Sequence, residues 1–489
     1  MIAPQGTPQI VDVPIADLPG LLLPELCVAA GMLLCMLGTL VPAWRSTRFS
    51  LWVAVTAALA AFASTLAPSR AALEPMLALD PIAGAARAVI AGVLVVLLLA
   101  GAGERRTAAD HDAWGTCVLG TGLGALLVSS ASNVVPLWLG LELISLGSYA
   151  LAAWRAGDRR AAEAGMKYVL FGSAASGLML FGMSHLYGLT GHLDFLGIGQ
   201  QLARGMPVDV VAALVLAAVG IAYKLTVVPF HFYAPDVYQG APSLSVAVVA
   251  TLPKIAAAAV LVRALGLAVP PGLCAPGQVG AVLAGVAIAS LGVAAFTALA
   301  QRDARRIIAF SGIGHGGTIV LGAAALPGAD ATAAVLLYVT AYAAATLGAL
   351  VCLSVLEREQ GSSALDALPG AMQRKPWVTS ALCLFLASLV GIPPLAGFLG
   401  KWSVLQLALH GGPVLVAGAL VLLATTAILA WAYLLIVRAA VLAPAPEPTG
   451  APARVPASSA IVLGVCAAAT LGLGLWLDAL PALVRFVQP

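Results

Sequence analysis

The stretch GIAYKLTVVPFHFYAPDVYQGAPS, residues 220 to 243, opens as the end of an apolar span, carries Lys224 inside that span, and meets Pro229 and Pro235 before a polar Asp-Tyr-Gln turn. A charged side chain and a helix break are each costly in hydrocarbon, where no water pairs with stray polar groups. Here they stand five residues apart, in a chain that is 61% apolar and only 9% charged. Together these features predict an all-α polytopic membrane protein with an interrupted helix.

Working outward, about 20 residues of helix cross a hydrocarbon core of about 30 Å. Segments able to do so run approximately over 20–41, 49–67, 79–101, 113–130, 134–154, 163–189, 209–231, 243–265, 277–300, 306–326, 331–355, 376–409, 414–438 and 457–480. That predicts about 14 transmembrane helices. The twelfth segment is too long for one span and contains Gly391, Pro393, Pro394, Gly397 and Gly400, which predict a second broken helix.

Positive residues accumulate in cytoplasmic loops. With the N-terminus outside, the cytoplasmic side carries Arg45, Arg48, Arg105, Arg106, Arg155, Arg159, Arg160, Lys167, Arg302, Arg305, Arg306, Arg358, Arg374, Lys375, Arg438 and Arg454. The other side carries only Arg70, Arg204, Arg263 and Arg485. This bias predicts both termini on the outer face. Four basic residues remain, Arg87, Lys224, Lys254 and Lys401, all inside spans.

Several functional classes drop out. A net charge of +3 without a long basic run gives no nucleic-acid footprint. Cys27, Cys35, Cys117, Cys274, Cys352, Cys383 and Cys466 are scattered singly, which argues against metal, iron-sulfur and disulfide frameworks. The first apolar run follows Asp12 and Asp17 with no basic region, so it is expected to stay as a span. GTGLG at 120–124 has no strand before it and predicts close helix packing, not a phosphate loop. The Ala-Pro alternation within 439–456 predicts a stiff cytoplasmic connector.

The candidate chemistry lies in the buried ionisable residues. At about 1.5 Å per residue, Glu142, Lys254 and His315 fall roughly 12 to 17 Å into their spans, with Lys224 nearer the cytoplasmic side. Lys401 follows the second break and should also lie deep. Pro229 removes a donor and leaves the Leu225 carbonyl unpaired beside Lys224, and Pro253 does the same to Val249 beside Lys254. Water is the expected partner of these groups, and hydrated groups in a row can pass protons. An approach of Glu142 to Lys224 would favour the charged amine and separation would release the proton. The alternative for each residue is snorkelling or a helix-gluing ion pair, weightiest for Arg87. His231 and His185 lie near span ends or on apolar faces and carry the weaker case for a role.

The residues LLPELCVAAGML (22–33), GLELISLGSYALAAW (140–154), MKYVLFGSAASGLMLFGMSHLYGLTG (166–191), AYKLTVVPFHFYAPDVYQGAPS (222–243), TLPKIAAAA (251–259) and LFLASLVGIPPLAGFLGKW (384–402) carry a resemblance that extends over most of the chain. It resembles the antiporter-like membrane subunits of proton-pumping NADH-quinone oxidoreductase, respiratory complex I. That family comprises its N, L and M subunits and the multisubunit sodium/proton antiporters, and the 166–191 run favours the N type. The resemblance implies fourteen helices with two inverted five-helix repeats, helices four to eight and nine to thirteen, and broken seventh and twelfth helices. The corresponding divisions are 1–112, 113–265, 266–440 and 441–489.

The resemblance also implies proton-transfer roles for Glu142, Lys224, Lys254 and Lys401. The helix-ten histidine corresponds to His315, where Gly316 and Gly317 replace bulkier residues common in the family. The chain itself is expected to hold no cofactor. NADH, flavin, iron-sulfur clusters and quinone are expected in partner subunits, which would include peripheral and antiporter-like membrane neighbours in a bacterial inner membrane. The alternatives are a cation/proton antiporter subunit of the same fold and a passive assembly scaffold.

Overall fold

The computed structural model describes residues 18–41, 49–66, 71–73, 76–104, 108–155, 157–205, 208–270, 277–443, 454–476 and 478–487. Asp12, Asp17, Arg45, Arg48, Arg70, Arg105, Arg106, Cys274 and part of the Ala-Pro connector lie outside the described residues.

The helices in order are α1 Leu18–Leu21, α2 Leu23–Leu40, α3 Phe49–Thr65, α4 Pro81–Ala102, α5 Ala108–Ser130, α6 Val134–Ala152, α7 Arg159–Thr190, α8 Phe195–Leu202, α9 Val208–Ala217, α10 Val219–Leu225 and α11 Ala234–Gly240. They continue as α12 Ser243–Ala268, α13 Gln278–Ala298, α14 Ala304–Ala323, α15 Ala329–Gln360, α16 Ala371–Arg374, α17 Pro376–Val390, α18 Ala396–His410, α19 Pro413–Val437, α20 Ala457–Leu475 and α21 Ala479–Val487. A short antiparallel hairpin, β1 Ala71–Leu73 with β2 Leu77–Leu79, joins α3 to α4. Among the described residues, nine helices are long and apolar enough to cross a membrane; Leu23–Gly38, Phe49–Thr65 and Pro376–Val390 are apolar but shorter. The seventh and twelfth predicted segments are both interrupted: α10 ends at Leu225 and α17 at Val390.

Local sequence explains the helix starts. Asp80, Asn133, Asp158, Asp194 and Asp303 each precede a helix and accept hydrogen bonds from its first free N–H groups. Glycines set the close contacts. A Cβ at Gly122 would lie 2.4 Å from Leu94 Cδ1, and one at Gly124 would lie 2.6 Å from the Gly140 carbonyl oxygen. The GTGLG run is therefore a packing surface between helices.

At the centre stands α12, with an 18-residue apolar window that is wholly buried. It packs against α4, α5, α10 and α15. Helix α15 is buried almost as completely, whereas α7 and α19 each turn a large face outward. Arg263, assigned above to an outer loop, lies inside α12 at 2% exposure. Its guanidinium pairs with Asp80 and donates to the Ser129 carbonyl, so its charge belongs to helix packing and not to the loop count. Arg87 pairs with Glu25 and donates to the Leu21 carbonyl, tying α4 to α2. The structural alternative thus has direct support for Arg87.

Short helix α11 is pinned from two sides. Lys167 Nζ reaches Asp236 Oδ2 at 2.7 Å, and Arg306 Nη1 reaches Asp236 Oδ1 at 2.9 Å and Gln239 Oε1 at 3.0 Å. Burial disfavours the Asp236 carboxylate, but the Lys167 and Arg306 contacts outweigh it and hold the carboxyl below the ordinary aspartate range.

Candidate proton-transfer site

Helix α10 ends in a Schellman arrangement: the Val227 N–H bonds the Ala222 carbonyl at 3.1 Å and the Thr226 N–H bonds the Tyr223 carbonyl at 3.0 Å. The left-handed residue is Thr226, with φ of 59°, where glycine is usual. A β-branched residue in this conformation is strained by about 1–3 kcal/mol and is held there by its surroundings. Those surroundings centre on Lys254. Its Nζ donates to the Leu225 carbonyl at 3.0 Å, the Gly312 carbonyl at 2.8 Å and the Thr226 hydroxyl.

The carbonyl that Pro229 frees therefore has a lysine as its partner, and three N–H donors meet three oxygens. A cation at a helix C-terminus is also the favourable sign for the helix dipole. Helix α12 itself continues through Pro253.

Lys224, 3% exposed, lies one residue before this end on a different side. Its Nζ donates to Ser145 Oγ at 2.7 Å and sits 5.7, 5.7 and 5.2 Å from the ring centroids of Tyr149, Tyr168 and Tyr223. Glu142, one turn before Ser145 on α6, is half-buried and accepts from Ser176, which also receives the Trp138 indole N–H at 3.3 Å. Glu142 and Lys224 make no direct ion pair: Glu142 is engaged with Ser176 and Lys224 with Ser145.

On the other side of Lys254, the Tyr342 ring lies 5.7 Å from the ammonium and 4.8 Å from the His315 ring. His315 Nδ1 shares a hydrogen bond of 2.6 Å with the Tyr338 hydroxyl, while its buried Nε2 has no protein partner. Gly316 has a clear purpose: a Cβ there would lie 2.2 Å from the Leu225 carbonyl oxygen, so its small size lets α14 approach the open end of α10. At Gly317 the added Cβ would lie 3.0 Å from the Ala287 carbonyl oxygen. Both glycines therefore serve close helix contact, and His315 keeps a defined hydrogen bond beside them.

The second break has the same logic. Gly391, at φ of 92°, turns the chain after α17, and Lys401 Nζ donates to the Leu389 and Val390 carbonyls at 2.9 Å each and to Thr426 Oγ1 at 3.5 Å. Lys401 is half-buried, and the preceding Gly400 packs on Tyr338, where a Cβ would lie 3.0 Å from Tyr338 Cα. The polar row thus has two connected stretches, Ser145–Lys224 and Lys254–Tyr342–His315–Tyr338, with Glu142 one turn before Ser145 and Lys401 next to Gly400, which packs on Tyr338. His231 is buried at the first break with an unpartnered Nδ1, and His185 is exposed, edge-on to Phe181; neither joins the row.

Ser145, Ser176, Thr226, Thr426 and the tyrosines were not singled out by sequence reading. Their residue types are ordinary in helices, and only Tyr223, adjacent to Lys224, carried a positional hint.

Comparison with known proteins fits this geometry. The model of the family "NADH:quinone oxidoreductase/Mrp antiporter, TM" matches residues 131–428, which contain the whole row. NADH-quinone oxidoreductase subunit N of Methylobacterium nodulans is 34% identical over 80% of this chain and 82% of its own length. Subunit N 2 of Acidobacterium capsulatum is 37% identical over 82% of this chain and 84% of its own. Among solved structures, a chain of respiratory complex I from Thermus thermophilus with bound aureothin is 30% identical, with a TM-score of 0.76 over 94% of this chain and 99% of that one. A chain of the Mrp complex from Dietzia sp. superposes with a TM-score of 0.84 over 96% of each chain at 21% identity, a likeness of fold alone.

Proposed function

The chain belongs to the NADH:quinone oxidoreductase/Mrp antiporter family, in its subunit N branch, and from that membership we propose that Glu142, Lys224, Lys254, His315 and Lys401 move protons through a membrane subunit of NADH-quinone oxidoreductase. The observation that carries this assignment is the bonding of the three lysines. None of them has a carboxylate partner; all three are held by backbone carbonyls, hydroxyls or aromatic rings. A lysine locked to a carboxylate is glue, whereas these amines keep neutral partners that tolerate loss of the proton.

The chain needs no flavin, cluster or nicotinamide of its own in this scheme. Quinone reduction in partner subunits shifts the separation between Glu142 and Lys224 and so drives transfer along the row, with antiporter-like neighbours beside it. Protons enter from the cytoplasm near Lys224 and Lys254, and Lys401 serves the outward relay. In this scheme the outward path passes the open groove of about 710 Å³ along the C-terminal half of α18, lined by Ser403, Gln406 and His410 with Asp330 of α15. The fourteen crossings, the inverted repeats over 113–265 and 266–440, the bacterial inner membrane and the outward termini complete the scheme, and the charge bias of the loops supports the orientation.

The test is proton pumping by the assembled complex in membrane vesicles after Glu142→Ala, Lys224→Ala, Lys254→Ala and Lys401→Ala. Loss of pumping per complex is expected in each case; intact pumping in all four would overturn the assignment.

A further inference from the structure

Lys224 is the one lysine of the three with a single oxygen partner in the structure, Ser145 Oγ at 2.7 Å. What surrounds the rest of its ammonium is aromatic. Tyr149 of α6, Tyr168 of α7 and Tyr223 of α10 place their rings 5.7, 5.7 and 5.2 Å from Nζ, within the range in which a ring face attracts a cation.

The rings are locked to one another. Tyr149 meets Tyr168 edge-on at 4.8 Å and 83°, Tyr168 stacks on Tyr233 at 5.0 Å, and Tyr223 lies 4.4 Å from Tyr233. Two of the hydroxyls are committed elsewhere: Tyr223 donates to the Tyr168 carbonyl at 2.9 Å, and the Tyr168 hydroxyl accepts from Ser148 at 3.3 Å. The amine therefore meets π faces. Helix α7 makes room for the third ring with Gly172, where a Cβ would lie 1.7 Å from the Tyr149 hydroxyl.

We propose that Tyr149, Tyr168 and Tyr223 form an aromatic cage that favours the cationic form of Lys224 alongside the longer-range attraction of Glu142. It deepens the proton-transfer assignment and rests on it. The cage makes the ammonium tolerable at membrane depth while Glu142 is engaged with Ser176, so movement of Glu142 modulates a charge that already exists. The three tyrosines are positioning residues, since they act on the proton through Lys224. Ring faces supply the attraction, and a phenylalanine at each position preserves it. The other titratable groups on the elements packed around Lys224 are Glu142 on α6, Arg159, Arg160, Glu163, Lys167, His185 and Tyr187 on α7, Asp209 on α9, Tyr233 after α10, and Lys254 and Arg263 on α12.

The experiment compares Tyr→Phe with Tyr→Leu at positions 149, 168 and 223 in the assembled complex, reading proton pumping per complex against pH, with Lys224→Ala alongside. Phe variants are expected to pump within about twofold of the parent. Leu variants are expected to lose pumping several-fold and to move the alkaline limb of the pH profile down by about one unit, the size of one cation–π contact. Leu variants with the parent profile, or Phe variants as impaired as Leu variants, overturn the cage. Tyr149 is only half-buried, so Tyr149→Leu decides the matter if the deeper variants fail to assemble. Normal pumping by Lys224→Ala would instead remove the proton-transfer assignment itself, which separates the two failures.

Discussion

At the break after Leu225 the ammonium that closes the helix comes from a different helix, Lys254 of α12; at the break after Val390 it comes from the second half of the same interrupted span, Lys401 of α18. Each meets three oxygens, but the first is fully buried and the second half-buried. By bonding, the counterpart of Lys401 is therefore Lys254 and not Lys224, although sequence position alone pairs Lys401 with Lys224. The difference teaches that a broken helix and a buried lysine form one unit: the break releases carbonyls and the lysine occupies them. Among the described residues, Lys224 alone has three tyrosine rings around its ammonium.

The largest test of that contrast is Lys254→Met against Lys401→Met. Removing Lys254 strips the buried Leu225 and Gly312 carbonyls of their ammonium donor and leaves the single Thr226 hydroxyl proton to serve both, a loss of about 1–3 kcal/mol, so assembled complex on native gels should fall several-fold, whereas the half-buried Lys401 site should lose less than about twofold. Equal yields would erase the distinction between the two caps. A sharper probe of the first break is Gly316→Ala. The added methyl presses on the Leu225 carbonyl, and overpacking of about 1–3 kcal/mol should lower pumping per complex several-fold. Unchanged pumping would mean that the Leu225–Lys254 contact tolerates displacement.

The smallest effect is expected at the loop that follows the first break. Asp236→Asn weakens the hold of Lys167 and Arg306 on α11, and amide exchange over 234–240 should rise a few-fold with pumping nearly intact. The sign with pH follows from the lowered Asp236 pKa. Its stabilisation is fully present above the ordinary aspartate value of about 3.9 and is lost only as pH falls through the lower folded-state value. Between pH 5 and 8 the exchange of this segment, corrected for intrinsic rate, should therefore be flat; a step in that window would assign the anchoring to another group.

The helix pattern was legible because membrane spans must satisfy their own backbone, so long apolar runs and their proline or glycine interruptions declare themselves. Pro229 pointed to the Leu225 carbonyl as one left without a helix-ladder donor, but the expected water is replaced there by Lys254 and the Thr226 hydroxyl. Which group takes the carbonyl depends on how α12 passes α10, and no local pattern encodes that passage. Arg263 escaped for a related reason: a charge near a predicted span end reads as a loop residue until Asp80 is seen beside it. The tyrosines were hidden by their ordinariness, because an aromatic residue in an apolar helix is consistent with many surroundings.

The complete burial of α12 bears on how the chain is made. Synthesis runs from the N-terminus, so α12 reaches the bilayer when α4, α5 and α10 already exist and α14 and α15 do not. Asp80 and the Ser129 carbonyl are then available to Arg263, and Leu225 and Thr226 to Lys254, while Gly312 has yet to be synthesised. The two cations of α12 thus find most of their partners upstream. Insertion of this wholly buried helix follows the chain order that already provides its counter-groups.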